Sequence, residues 1–399
     1  MSTSIATPVP EPEGAPEPQA APTRPRPAGA SLWADLRAAL PGWVVARVVV
    51  GVALVGTRWY LRLTREGDPT VLTRSRQGLM SWDAAWYRGI ALHGYAGVGR
   101  EGLRFFPLWP LAGRALAAPF GGGGAVTVGL LLAANVLSLG LGALVHRLVV
   151  AETGNVPLAR RAAWLTAIAP PASVLVMGYS EPMAISLAVL AFLALRSRRW
   201  WWAASAGLLY GLSRPVGVLL VVPAAIEAAR HLRRVPAGEK VARAAAVLAA
   251  PAGAALYLAW VGGRFGDAML PYRVQGAGHL RGALADPAEV LVHAGARLLR
   301  GDLGSQGHYT WALGLVALAV VCGRRWPGSY TAFVAATLLA VLASHNLNSL
   351  ERYLLGAFPI VLTGAGLVRT RRGEVAAAAA SLALLGVYAA AAFSSQYVP

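Results

Sequence analysis

The sequence predicts an all-α polytopic membrane protein, and three observations carry that reading. Of its 399 residues 56% are hydrophobic, and the mean hydropathy is +0.52. Only 14% are charged, against about 25% in soluble domains. Apolar runs recur along most of the chain, separated by short arginine-rich connections. The net charge is +18, with Lys240 the single lysine. Arginines placed between apolar runs suit phospholipid headgroups and topology signals, so membrane lipids are expected partners and nucleic acid is not.

Taken in order, residues 1–35 read as a disordered, proline-rich cytoplasmic tail, and 36–399 as one membrane domain. The first thirty residues hold eight prolines, three glutamates and two arginines, with little apolar content for a core. No short basic region leads into the apolar run Trp43–Val55, so no cleaved signal peptide is expected. Pro41–Thr57 is read as the first span, about 26 Å long as a helix. A loop over 58–104 follows, carrying Arg58, Arg62, Arg65, Arg74, Arg76, Arg88, Arg100 and Arg104. Together with the segment up to 124 it forms the first outer loop; 264–305 forms the second.

Further apolar runs lie near 125–145, 162–178, 181–195, 201–212, 215–229, 243–263, 307–323, 328–344, 353–368 and 374–393. Basic connections follow several of them: Arg147 with Arg160 and Arg161; Arg196 to Arg199; Arg230 to Arg243; Arg324 and Arg325; Arg369 to Arg372. The positive-inside rule puts these on the cytoplasmic side with the N-terminus. That requires 201–229 to be a broken pair of half-helices interrupted at Ser213-Arg214-Pro215. It also requires 105–119 not to cross, as Pro107, Pro110 and Pro119 favour. Nine spans result, with the C-terminus outside. The outer face then gathers loop 58–104, Gly178-Tyr179-Ser180-Glu181, loop 264–305 and His345 to Arg352. Eight arginines in an outer loop run against the rule; an anionic lipid phosphate would account for them, a tolerated exception being the alternative.

Sorting the acidic residues by loop narrows the candidates for chemistry. Glu11, Glu13 and Glu17 lie in the tail, and Glu152, Glu227, Glu239 and Glu374 on the basic side. Glu66, Asp68, Asp83, Glu101, Glu181, Asp267, Asp286, Glu289, Asp302 and Glu351 remain outside. Among these, Asp83 has aromatic flanks, in Ser81-Trp82-Asp83-Ala84-Ala85-Trp86-Tyr87-Arg88. If Trp82 to Tyr87 are helical, Asp83 and Tyr87 share a face and Trp82 and Trp86 flank it. Rings cover the apolar face of a hexose while a carboxylate takes a hydroxyl proton. The plainer alternative is an aspartate capping a short helix between interfacial tryptophans. Glu181 and Arg214 are costly charges within apolar surroundings, suited to pairing with each other or, for Arg214, to a phosphate. Arg352 suits a phosphate, a partner in Glu351, or snorkelling to headgroups.

Other chemistries leave no trace. Cys322 is the single cysteine, so no disulfide or cysteine-based metal site is expected, and it reads as a packing residue. The seven histidines show no ligand spacing for a protein-only zinc site. A single aspartate beside a substrate phosphate still suits a hard divalent cation, Mg²⁺ or Mn²⁺. There is no P-loop or dinucleotide fingerprint.

Two motifs carry a resemblance: Trp82-Asp83-Ala84-x-Trp86-Tyr87-x-x-Ile90-Ala91-x-x-Gly94-Tyr95, and Phe105-Phe106-Pro107-Leu108-Trp109-Pro110-Leu111. With Tyr179-Ser180-Glu181, Ser213-Arg214-Pro215-x-Gly217, Arg352-Tyr353 and Phe358-Pro359 in order, residues 40–395 resemble the PIG-V type mannosyltransferases and their bacterial relatives. Ser213 stands where threonine is expected, and Trp109 where tyrosine is. The resemblance implies a GT-C membrane fold, a polyprenyl-phosphate mannose donor, and a catalytic aspartate in the first extracytoplasmic loop, which maps onto Asp83. It also implies single inverting displacement onto a glycolipid, glycan or protein acceptor. The substrate contacts expected around Asp83 are Trp82, Trp86, Tyr87, Arg88, Arg104, Phe106, Glu181, Arg214, Arg352 and Tyr353. The alternatives are a transferase of another polyprenyl-linked sugar, such as arabinose or aminoarabinose, and a lipid-linked sugar flippase. A flippase predicts symmetric halves, and no internal repeat is visible.

Overall fold

Helices account for all the regular structure among the described residues; there is no strand. The structure, a computed structural model, describes residues 31–64, 68–278, 280–302 and 307–399. The tail over 1–30, Arg65, Glu66, His279 and residues 303–306 lie outside the described residues.

In chain order the α-helices are α1 Leu32–Thr64, α2 Pro69–Gln77, α3 Asp83–His93, α4 Leu108–Ala117, α5 Gly122–Thr153 and α6 Val156–Ile168. They continue with α7 Glu181–Arg196, α8 Trp200–Ser213, α9 Val221–Ala229, α10 Ala237–Phe265, α11 Leu270–Gln275 and α12 Pro287–Leu299. The last five are α13 His308–Arg325, α14 Gly328–Leu342, α15 Leu350–Gly356, α16 Pro359–Leu367 and α17 Arg371–Phe393. Four of them, α1, α5, α10 and α17, are long and apolar enough to cross a membrane. The chain is an all-α polytopic membrane protein.

The helices match the apolar runs closely, and the differences have local causes. α1 begins at Leu32, so the tail boundary placed at 35 falls inside a helix. Asp35, which sorting the acids by loop passed over, is buried there. Its carboxylate accepts a 2.8 Å hydrogen bond from Arg147 and lies 2.7 Å from His146 Nδ1. A buried carboxylate with two such partners pins the first turn of α1 to the end of α5. The run 162–178 is not one helix: α6 stops at Ile168 and Ala169 is extended, φ −52°, ψ 150°, because Pro170 bars the helical region to the residue before it. The run 353–368 splits into α15 and α16, the second opening on Pro359 at its first turn. α4 has ten residues, about 15 Å, too short to cross.

The break expected at Ser213-Arg214-Pro215 is present. α8 ends at Ser213, Arg214 is extended at φ −167°, ψ 154°, and 215–220 form a 3₁₀ segment before α9. That segment folds back on the last turn of α8. A Cβ at Gly217 would collide with the Tyr210 carbonyl oxygen, so a residue without a side chain is required there. Close approach through small residues also joins α8 to α10, where Gly211 faces the Ala250 carbonyl and Gly253 that of Leu208.

The basic connections gather at one end of the bundle. Arg196 pairs with Glu152 at 2.7 Å and Glu227 at 3.3 Å. Ser329 donates to Glu227 at 2.5 Å, and Arg161 pairs with Glu374. Arg325 donates to the Gly366 carbonyl at 2.6 Å. α7 runs away from this cluster: Arg196 lies at its end, and Glu181 opens it about 23 Å off. Glu181 stands at the other end of the bundle, where the site described next is built.

Candidate active site

The site is assembled at the start of α3. Trp82 precedes the helix with φ 59°, ψ −129°, a strained backbone for a bulky residue, costing about 1–3 kcal/mol. Its ring is held from two sides. The indole N–H donates to the Ala392 carbonyl at 2.9 Å, and the Arg74 guanidinium lies 3.7 Å from the ring centroid. Trp82 is therefore outside the helix, and no side chain caps α3. The capping alternative for Asp83 does not hold, because its carboxylate is engaged elsewhere. Arg352 Nη1 donates to Asp83 Oδ2 at 2.6 Å, while the Asp83 backbone N–H donates to the Tyr179 hydroxyl at 3.3 Å.

Behind Asp83 the charges alternate. Arg352 Nε lies 3.5 Å from Glu181 Oε1, within ion-pair range, and Arg214 Nη2 donates to the same oxygen at 3.2 Å. The row Asp83–Arg352–Glu181–Arg214 thus joins four segments distant in sequence into a net-neutral set. Glu181, Arg214 and Arg352 are all buried, and buried charges are tolerated only with such partners. Arg352 does not pair with Glu351 as one expectation had it. Glu351 Oε1 lies 2.8 Å from His308 Nδ1 instead.

A cavity of about 310 Å³ opens over Asp83. Arg74, Arg104, Arg281 and Arg352 line it, with Trp82, Trp86 and Tyr353 as its rings. Two buried guanidinium nitrogens of the lining arginines, Arg104 Nε and Arg281 Nη2, lack a hydrogen-bond partner, while Arg352 Nε is turned to Glu181. Unpaired buried donors are rare, and an acceptor such as a phosphate oxygen would satisfy them. Tyr353 is sandwiched among cations, its centroid 4.1 Å from Arg281 and 5.3 Å from both Arg214 and Arg352. Trp86 stacks on Phe105 at 5.8 Å and 22°. The cavity thus sets two carboxylates, Asp83 and Glu101, among four guanidinium groups and flat aromatic walls.

The expected residues divide into four groups. Trp82, Asp83, Trp86, Arg104, Arg352 and Tyr353 line the cavity. Glu181 and Arg214 support it from beneath, through Arg352. Tyr87 is buried one helical turn from Asp83, its hydroxyl 2.8 Å from Ser180 Oγ. Burial, reinforced by the charges of Glu181 and Asp83, pushes its phenol above the ordinary range. Arg88 and Phe106, expected with them, do not line this cavity. Arg88 is five residues from Asp83, on another side of α3, and donates to Thr127 Oγ1 at 2.8 Å. Phe106 is fully buried against Tyr257, centroids 4.6 Å apart.

Sequence reasoning missed Arg281, Ser349 and Val398 on the cavity wall. Arg74 was visible only as one of eight loop arginines. Burial lowers its guanidinium below the ordinary value, against the opposing pull of Tyr179 and Asp83. Among the described residues no group of three or more His, Cys, Asp or Glu is placed to hold a metal. Any divalent cation at Asp83 would therefore depend on substrate oxygens for its remaining ligands.

Fold and site define an all-α polytopic membrane protein with an arginine-lined cavity around one aspartate. Compared with protein-family models and with curated proteins, the chain matches none.

Proposed function

We propose that the protein is a membrane glycosyltransferase that moves mannose from a polyprenyl-phosphate donor to an extracytoplasmic acceptor, with Asp83 as the base. The observation that carries this reading is the Asp83 cavity itself, where a carboxylate sits among four lining arginines, two of which, Arg104 and Arg281, hold a buried nitrogen without a partner. A lipid phosphate supplies the missing acceptors, and Trp82 and Trp86 cover the sugar ring. In the reaction an acceptor hydroxyl attacks the anomeric carbon and passes its proton to Asp83. The bond from that carbon to the phosphate oxygen breaks, and its electron pair leaves with the lipid phosphate. One displacement inverts the anomeric centre. Arg352 lies against Asp83, so it can stabilise both the carboxylate and the departing phosphate charge. The clustering of basic connections at the far end of α7 supports a cytoplasmic N-terminus and an extracytoplasmic cavity.

The test is direct. Membranes containing the protein are supplied with radiolabelled polyprenyl-phosphate mannose and the labelled product is identified. Label should pass to an acceptor with the intact chain and not with Asp83→Asn. Equal transfer by both would sink the reading.

A further inference from the structure

A second cavity, of about 450 Å³, adjoins the first. The two share a wall made of two backbone strips. Leu280, Arg281, Asn348 and Ser349 face the Asp83 cavity, while Gly282, Asn346 and Leu347 face the second. The strips are tied by backbone hydrogen bonds from Asn346 to Arg281 at 3.1 Å, from Ala285 to Ala343 at 3.3 Å and from His345 to Ala283 at 3.4 Å.

The chemistry of the two cavities is opposite. The second carries Glu289, His293, His308, Tyr309, His345 and Asn346. Among the described residues none of its lining is arginine or lysine, in a chain with 36 of them. Four arginines line its neighbour. A phosphate therefore finds fixed cations on one side of the wall only; on the other, a neutral ligand rich in hydroxyls finds donors, acceptors and a ring.

His308 sharpens this. It is 4% exposed, and its Nδ1 lies 2.8 Å from Glu351 Oε1, whose other oxygen accepts from the Tyr397 hydroxyl at 3.3 Å. The carboxylate can only accept, so Nδ1–H donates to it and Nε2 is the remaining polar atom, buried without a partner. In the neutral ring Nε2 needs a donor, and in the protonated ring it needs an acceptor. A hydroxyl serves both states.

We propose that this second cavity is a subsite for a neutral carbohydrate, with a sugar hydroxyl bonded to His308. In the transferase reading, on which its role rests, that sugar is the part of an acceptor glycan away from the reacting hydroxyl. Sugar binding itself is independent of that reading.

The test uses the full chain purified in detergent, with methyl α-mannoside, an α-linked mannobiose and a mannotriose as probes. Binding is followed by saturation-transfer NMR and calorimetry. Binding of at least one oligosaccharide is expected, with Kd raised tenfold or more by Ala285→Trp, which fills the cavity, and by His308→Gln. Inorganic phosphate should not displace the sugar. Should His308→Gln fail to fold, as judged by its melting profile, Ala285→Trp and His345→Ala decide the matter. No binding by the intact chain, unchanged binding in the variants, or displacement by phosphate overturns the proposal. Cavity-dependent sugar binding without any transfer of label upholds the subsite and removes the transferase. Transfer with an unchanged acceptor KM in Ala285→Trp removes the subsite alone.

Discussion

Arg352 Nη1 and Asp83 Oδ2 are 2.6 Å apart, although 269 residues separate them in the chain. The pair closes the site: it brings the start of α15 against the start of α3 and sets a cation beside the one carboxylate flanked by tryptophans. The same guanidinium lies near Glu181, so one arginine serves two acids.

Asp83→Asn should reduce turnover about a hundredfold or more, the usual loss when a positioned base is removed. Protein level in the membrane should hold, since Arg352 keeps Glu181 as a partner. Turnover is measured with labelled donor at matched protein levels; a well-folded Asn variant with near-normal turnover would contradict the assignment.

Arg352→Lys keeps a charge but loses the planar fork. Turnover should fall while protein level stays close to normal. Arg352→Leu should be worse in both respects. It leaves Glu181 with Arg214 as its one remaining ion-pair partner, and breaking a buried pair costs about 3–5 kcal/mol. Comparing expression and melting temperature of the two variants separates geometry from charge; equal behaviour would count against a phosphate role.

The Glu181–Arg214 pair is buried on both sides, with side chains 2% and 8% exposed. Glu181→Gln and Arg214→Leu should each destabilise the protein by a few kcal/mol, and the double variant should recover part of the loss. A coupling of about 0.5–3 kcal/mol is expected for such a contact. Strict additivity in thermal melts would show that the two do not act as a pair.

Arg281→Gln removes a cavity cation whose Nη2 has no partner. The donor KM should rise about tenfold, with a modest fall in melting temperature as the contact with the Tyr353 ring and the Nη1 bond to Ser344 are lost. An unchanged KM would take Arg281 out of the donor site.

Topology is open to cysteine labelling in a Cys322→Ser background. With a cytoplasmic N-terminus, an impermeant thiol reagent applied outside should modify Ala96→Cys but not Ala237→Cys. Both positions are exposed. The opposite pattern would reverse the orientation and place the Asp83 cavity inside.

What the sequence determined by itself is what local forces decide. Long apolar runs must satisfy their backbone polar groups internally, so they are helices, and the prolines at 170, 215 and 359 mark where those helices break. The break at Arg214 was legible for that reason, as was the shortness of the helix within 105–119. Asp83 was legible because its tryptophan neighbours are adjacent in the chain. Tertiary structure alone decided the partners. That Arg352 turns to Asp83 and Glu181 rather than to its neighbour Glu351 depends on how α15 packs against α3 and α7, and no local pattern records it. Arg281 and Val398 reach the cavity only because their loops fold over it, and Asp35 needs the end of α5 before its burial has meaning. Side-chain direction separated Arg88 and Phe106 from the cavity: each lies in the right stretch but faces away from it. Periodicity and proline act over a few residues, whereas a buried ion pair is chosen by whichever distant segments the packing brings within about 4 Å.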